Sequence, residues 1–299
     1  MEWKKSKIIC MKKVHSLLDI SSNINTFFVD VYGVLWDGND FYPESLSICH
    51  KLLQENKRVY ILSNTTKTSS YFKEKNVKKG LIQGIHYTDV ITSGDLLKYE
   101  LEHHNFLDNI TKSKTGKYLL IGYPNDFTLE SVLHRQTTDV KKAKAVYIGA
   151  LQTVSDGKTI LYQNLDPFIE LAKKALELHL PAICANPDYF AFSKGVKFVT
   201  QGNLGKWYEE NGGKVYWFGK PYKNLYDYVL GITGCSPSSC AMVGDTIRTD
   251  ILGGFNAGMK TVLILKNGVT QDILNQGGKL DDIIKQEGVQ PDFLLDVLK

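Results

Sequence analysis

Six polar residues stand where apolar stretches run out: Asp30, Ser63, Asn64, Lys220, Asp245 and, a little further on, Asp250. As a set they have a chemistry. Two carboxylates on separate strands can hold Mg²⁺, a cation that takes oxygen ligands and keeps room for water and a phosphate. A lysine and a hydroxyl can hold the remaining phosphate oxygens, and one carboxylate can attack phosphorus to form an aspartyl-phosphate. Singly, each is also what any α/β protein carries in its loops, and Asp30 alone reads as well as a strand-terminal Asp capping a turn. The order in which four strand ends deliver them favours a site.

The elements that must position them follow from hydrophobic periodicity. Residues 26–38 organise the rest: Phe27, Phe28 and Val29 read as a buried strand, Asp30 interrupts the apolar run and Gly33 breaks it. A short apolar run bounded by turn residues fits a core strand of a parallel sheet, and ligands of open α/β sheets sit beyond the carboxyl ends of such strands. Pro43 and Glu44 open a helix with Leu46, Cys49, Leu52 and Leu53 on one face. A strand over 58–62 leads to Ser63 and Asn64, a helix from 69 stops at Gly80, and a strand over 89–92 precedes a helix over 95–103. Alternation of this kind predicts a doubly wound sheet.

The middle has strands of its own over 118–121, 145–148 and 182–185, and a helix opened by Asp166-Pro167, which predicts a small α/β domain inserted into the main one. The first pattern then resumes: a strand over 214–218 ending in Gly219-Lys220-Pro221, a helix over 222–230, a strand ending in Gly244-Asp245, a helix from 249 and a last strand over 261–265. The stretches 202–205 and 209–213 are the expected return linkers. The expected class is α/β, a doubly wound parallel sheet with a Rossmann-like core, whose halves are 1–98 and 205–299 around an inserted α/β domain at 99–204.

A chain of 299 residues suits that division. Its 43% hydrophobic and 23% charged residues are ordinary for a globular protein. The net charge of +4 is mild and spread out, and the cluster Lys4, Lys5, Lys7, Lys12 and Lys13 reads as a solvated terminus, so no nucleic-acid partner is expected. Five scattered cysteines without metal-site spacing fit reduced thiols in a cytoplasmic protein. The apolar stretch at 8–11 is too short for a signal peptide, and no run approaches membrane length, so no membrane partner is expected.

The combination Asp30-Val31-Tyr32-Gly33-Val34, Leu62-Ser63-Asn64, Gly219-Lys220-Pro221 and Gly244-Asp245-Thr246-Ile247-Arg248-Thr249-Asp250-Ile251 resembles the haloacid-dehalogenase-like superfamily. The large insert between the second and third motifs resembles its class IIA phosphatases, which carry an α/β cap. The resemblance covers nearly the whole chain. It implies a Mg²⁺-dependent phosphohydrolase acting on a small phosphorylated metabolite, with Asp30 as nucleophile and metal ligand. The Tyr32 carbonyl and Asp245 are the further ligands it implies, with Asp250 behind them orienting the metal's water. It also implies Ser63 and Lys220 on the transferring phosphoryl group, Asn64 supporting that loop, and Asn186-Pro187-Asp188 as a substrate-facing cap loop. By analogy with the class, the caps pair in a homodimer.

One position departs from the pattern. The phosphatases carry a second Asp two residues after the nucleophile, which protonates the leaving oxygen and then activates water; here it is Tyr32. A phenol with a pKa near ~10 is a poor base at neutral pH, and general acid–base help is worth roughly 10²–10⁴ in rate. A slow or specialised phosphatase is therefore expected. Asp37 is close enough in sequence to substitute, but Asp37-Gly38 is also a good turn, and the turn is the preferred reading. Two other functions stay open: a protein that only binds a phosphorylated ligand, and a metal-free dehalogenase, for which Asp245 and Asp250 would have no use. His103-His104 reads as an exposed helix end, and Trp207, Tyr208, Tyr216 and Trp217 as core and interface.

Overall fold

The computed structural model describes residues 11–123, 127–155, 158–193 and 196–299. Two parallel sheets carry the architecture. The larger comprises β1 (Lys12–Val14), β2 (Thr26–Val29), β3 (Arg58–Ser63), β4 (Asp89–Thr92), β14 (Cys240–Gly244), β15 (Lys260–Ile264) and β16 (Phe293–Leu295). Their spatial order is β1-β16-β15-β14-β2-β3-β4. From β2 the chain winds outward through β3 to β4; from β14 it winds the other way through β15 to β16. The reversal falls between β2 and β14, whose residues pair in register from Thr26 with Cys240 to Val29 with Val243. That crevice is where an open α/β sheet offers a ligand site, and Asp30 and Asp245 follow these two strands. Every side chain of β2 and β14 is buried, as expected for strands covered by helices on both faces.

The second sheet comprises β5 (Lys117–Ile121), β6 (Gln136–Thr137), β7 (Ala143–Ile148), β10 (Ala182–Cys184) and β13 (Val215–Trp217), in the order β13-β10-β7-β5-β6. Two antiparallel hairpins form separate two-stranded sheets: β8 (Gln152–Ser155) with β9 (Lys158–Leu161), and β11 (Phe190–Ser193) with β12 (Val196–Val199). The period-two alternation of β7 sorts its side chains. Ala145 and Tyr147 join an apolar cluster shared with Phe28, Leu62, Leu97 and Leu225 of the larger unit. Val146 and Ile148 join a second cluster, with Phe168, Ala172 and Leu204, on the far face. The two sheets thus share one apolar layer.

Two expectations need correction. The strand expected over 214–218 does not return to the core sheet: Val215–Trp217 pairs with Ala182–Cys184 at the edge of the second sheet. Its residue types suit either sheet, and only the partner decides. The 202–205 stretch is not a linker but the first turns of the helix Gln201–Glu210. Its glycines serve close approach rather than flexibility. A Cβ at Gly202 would strike the Pro187 and Asp188 carbonyl oxygens, and one at Gly205 the Trp217 ring. Among the described residues no helix is long and apolar enough to cross a membrane.

Candidate active site

The strand-end residues converge. Lys220, only 2% exposed, lies at the centre: its Nζ is 2.6 Å from Asp30 Oδ1 and 2.8 Å from Asp250 Oδ1, and it donates to the Leu62 carbonyl at 3.0 Å. The Asp30 and Leu62 contacts are hydrogen bonds, whereas Asp250 Oδ1 meets the ammonium as an ion pair and is left without a hydrogen-bond partner. Burial disfavours the charge, but Asp250, Asp30 and Asp188 override it and hold the ammonium well above its ordinary pKa. Asn64 fixes the lysine backbone from both sides: its Oδ1 accepts the Lys220 N–H at 2.7 Å, and its Nδ2 donates to the Lys220 carbonyl at 3.2 Å and to Asp188 Oδ1 at 3.0 Å. Ser63, closing β3, accepts the Thr65 N–H on its hydroxyl at 3.2 Å.

Asp245 follows β14 and is almost fully buried. Its carboxylate accepts the Val269 N–H at 2.5 Å and the Thr246 hydroxyl at 3.1 Å. Gly33 (φ +73°) and Gly268 (φ +64°) lie against it, and a Cβ on either would overlap its carboxylate. The glycine that breaks the first motif is thus also the space in which Asp245 sits. Asp250 is carried on a wide π turn, Ile247–Ile251, and accepts the Thr246 N–H at 3.2 Å. One carboxylate oxygen from each of Asp30, Asp245 and Asp250 lies within 4.8 Å of the others. Burial, then Asp250 and Asp30, raise the pKa of Asp245 well above the carboxylate range. Burial, with Asp30 against the pull of Lys220, pushes Asp250 up to about 7. Three carboxylates, two of them buried, crowd together beside one ammonium, and an all-oxygen donor set of this kind fits a divalent hard cation such as Mg²⁺, which would favour their ionised forms.

Tyr32 lines the cavities on both sides of Asp30. Its phenol lies 3.4 Å from the Asp37 carbonyl. Burial, then Tyr42 and Asp245, raise its pKa beyond the ordinary value, so the phenol stays neutral and is further from serving as a base than composition alone implies. Asp37 forms the turn: its Oδ1 accepts the Asn39 and Asp40 N–H groups, both at 2.7 Å, and these bonds hold it ionised. Of the loop 186–188, Asp188 reaches the site and lines both cavities beside Asp30. Asn186 works one step back, accepting the Asp188 N–H at 3.0 Å and donating to Gln201 Oε1 at 3.2 Å. Arg248, to which the sequence pattern assigned no role, adds a further tie. It donates to the Pro187 carbonyl at 2.6 Å and lies 3.6 Å from the centroid of the Tyr189 ring, tying the motif around Asp245 to the loop bearing Asp188.

A parallel sheet with its switch point at two carboxylates, a second α/β unit inserted over it, and a lysine between them define a class. A family model described as Haloacid dehalogenase-like hydrolase matches residues 27–136, and one described as HAD-hydrolase-like matches 217–299. Together they take in well over half of the chain, which belongs to the haloacid-dehalogenase-like superfamily, and the second α/β unit is inserted into its core as a cap. Human N-acylneuraminate-9-phosphatase is 51% identical over 51 residues, 17% of this chain and 21% of that protein, so the shared segment spans about a fifth of this relative. Phosphoglycolate phosphatase 1A of Arabidopsis thaliana chloroplasts is 24% identical over 290 residues, 91% of this chain and 74% of the relative. The structure of a haloacid dehalogenase-like hydrolase from Brucella suis 1330 matches the fold with a TM-score of 0.77 at 20% identity, over 96% of this chain and 100% of that one.

Proposed function

We propose that the protein is a Mg²⁺-dependent phosphohydrolase that cleaves a small phosphate monoester through an aspartyl-phosphate on Asp30. The observation that carries the reading is the Asp30–Lys220–Asp250 chain of contacts at 2.6 and 2.8 Å, its lysine and Asp250 buried and Asp245 in the same cluster. The relatives named as phosphatases support it. Asp30 is the nucleophile. Lys220 takes the phosphoryl oxygens and offsets their repulsion with the Asp30 carboxylate. The Ser63 hydroxyl holds a further oxygen, and Asn64 keeps the Lys220 backbone in place. Asp30, Asp245 and the Tyr32 carbonyl would hold Mg²⁺, with Asp250 beside them; when bound, the ion supplies positive charge that offsets the phosphate and aligns it with Asp30.

With a neutral phenol at position 32 and Asp37 committed to its turn, no carboxylate replaces the missing acid–base group from that loop. Turnover is accordingly slow, or confined to leaving groups that need no proton. A binding-only role is the second reading, favoured by that same neutral phenol. The buried Asp245–Asp250 pair speaks against metal-free dehalogenation. Four buried cysteines remain unpaired among the described residues, which suits a reducing, cytoplasmic setting. The test is phosphate release from p-nitrophenyl phosphate and acetyl phosphate with Mg²⁺, with and without EDTA. Release that EDTA abolishes is expected; none from either compound would leave the binding role.

A further inference from the structure

Two cavities open on either side of Asp30, Tyr32 and Asp188, and their charges differ. In the cavity of ≈ 280 Å³ the cations share the lining with Asp245, Asp272 and Glu287 as well as Asp30 and Asp188. Lys197 pairs with Asp272 at 3.6 Å, and Arg248 is held by the Pro187 carbonyl and the Tyr189 ring. The cavity of ≈ 270 Å³ opens beside Ser63 and Asn64 and is lined by Lys67, Lys75 and Lys79. Among the described residues its acidic lining residues are Asp30 and Asp188 alone, which belong to the proposed reaction centre. Lys79 lies 4.0 Å from the centroid of the Trp36 ring and donates to the Asn39 carbonyl at 3.3 Å. Among the described residues neither Lys75 nor Lys79 has a carboxylate within ion-pair distance. Asp37, whose charge Lys79 does feel, spends its carboxylate on backbone N–H groups and does not line the cleft. Trp36 and Phe41 stand edge to face with centroids 4.7 Å apart, and Tyr71, 47% exposed, completes an aromatic wall.

A cleft in which Lys75 and Lys79 meet no carboxylate among the described residues, with aromatic walls and opening at the phosphate loop, selects a partner that is flat and anionic. We propose that this cleft receives the leaving group, and that the substrate is a phosphate monoester whose leaving group carries a second anionic group on a flat apolar framework. The inference rests on the phosphohydrolase reading and adds to it the class of ester. Lys75 and Lys79 contact the distal anion, and Trp36 and Tyr71 cover the framework.

The test is a matched pair, 4-carboxyphenyl phosphate and 4-carbamoylphenyl phosphate, equal in shape and different in charge, assayed with Mg²⁺ beside p-nitrophenyl phosphate. The carboxylate should be preferred in kcat/KM. The preference should fall by about two- to fivefold in each of Lys75→Gln and Lys79→Gln, the effect expected of a partly exposed ion pair. It should shrink at high salt, where exposed charges are screened. Both lysines are exposed, and unchanged circular dichroism will establish that the variants fold. Equal use of acid and amide, or a preference untouched by both substitutions, overturns the proposal. So does turnover of p-nitrophenyl phosphate with neither member of the pair accepted. If no ester at all is cleaved, the phosphohydrolase reading falls, and this inference with it.

Discussion

At the scale of residues, the site separates charge from proton transfer. Asp30→Asn keeps the shape of the side chain but removes both the proposed nucleophile and a charge from the proposed metal set, so hydrolysis should vanish while circular dichroism stays native. Retained turnover would exclude the covalent route. Tyr32→Asp should raise turnover of esters of ordinary alcohols, by something within roughly 10²–10⁴, because it restores a group that moves a proton between leaving oxygen and water. p-Nitrophenyl phosphate should gain less, since its leaving group is stable as an anion; equal rates for wild type and variant on every ester would count against the missing-acid account. Mg²⁺ at a hundredfold excess over its Kd should stabilise the wild type by about 2.7 kcal/mol. Asp245→Asn should lose most of that gain, and a thermal melt with and without the ion reads it directly. The cluster Asp30, Ser63, Lys220 and Asp245 was legible in the sequence because each residue ends a hydrophobic run. Arg248, Lys75 and Lys79 were not: their roles depend on which loop or cleft they meet, and a lone basic residue in a helix or motif carries no periodic signal.

At the scale of elements, most of the core strands could be read from burial patterns, since strands covered on both faces are continuous apolar runs. The edge strands β1 and β16 were missed. Each has three residues, too few to show an alternation. They are held instead by a polar clasp: Asp296, just past β16, lies 2.8 Å from Lys13 of β1 and 2.9 Å from Lys266. Hydrogen bonds from those two lysines lower the Asp296 pKa from 3.8 to about 2. Because the folded value is the lower one, the clasp adds stability above about pH 4 and loses it as the pH falls towards 2. All three side chains are partly exposed, so the contribution is on the order of 1 kcal/mol or less. Asp296→Asn should therefore lower the urea midpoint at pH 7 and leave it unchanged at pH 2; an equal deficit at both would assign the effect to packing. The strand β13 was read correctly as a strand and placed in the wrong sheet. Alternation identifies a strand, but its partner is fixed by contacts far away in sequence.

At the scale of the whole molecule, the cap and core meet in one apolar layer and through a few polar ties. Ser93 donates to the Ala185 carbonyl at 2.5 Å, Arg248 to that of Pro187, and Asn64 reaches both Asp188 and Lys220. Asn64→Ala would leave the buried Lys220 N–H without its acceptor, at a cost of about 1–3 kcal/mol, and should reduce turnover as the lysine loses its anchor. Urea denaturation together with kcat separates the two effects. The path of β13 has a further bearing. The edge strand of the cap sheet ends at Trp217, and the chain reaches Lys220 within three residues. The lysine therefore sits where the chain passes from the cap sheet back to the core, and its partners lie on the core side: Asn64 holds its backbone, and Asp30, Asp250 and the Leu62 carbonyl hold its ammonium. If the cap rocks outward, the cation stays with Asp30 while Asp188, on the cap loop, withdraws from Asn64, so the charge that faces the phosphate does not leave with the cap. Hydrogen exchange can test this. The amide of Lys220 should exchange with those of β2 and β14 rather than in step with those of Val215–Trp217, and orthovanadate with Mg²⁺ should slow it further. A Lys220 amide exchanging with Val215–Trp217 would mean that the lysine travels with the cap.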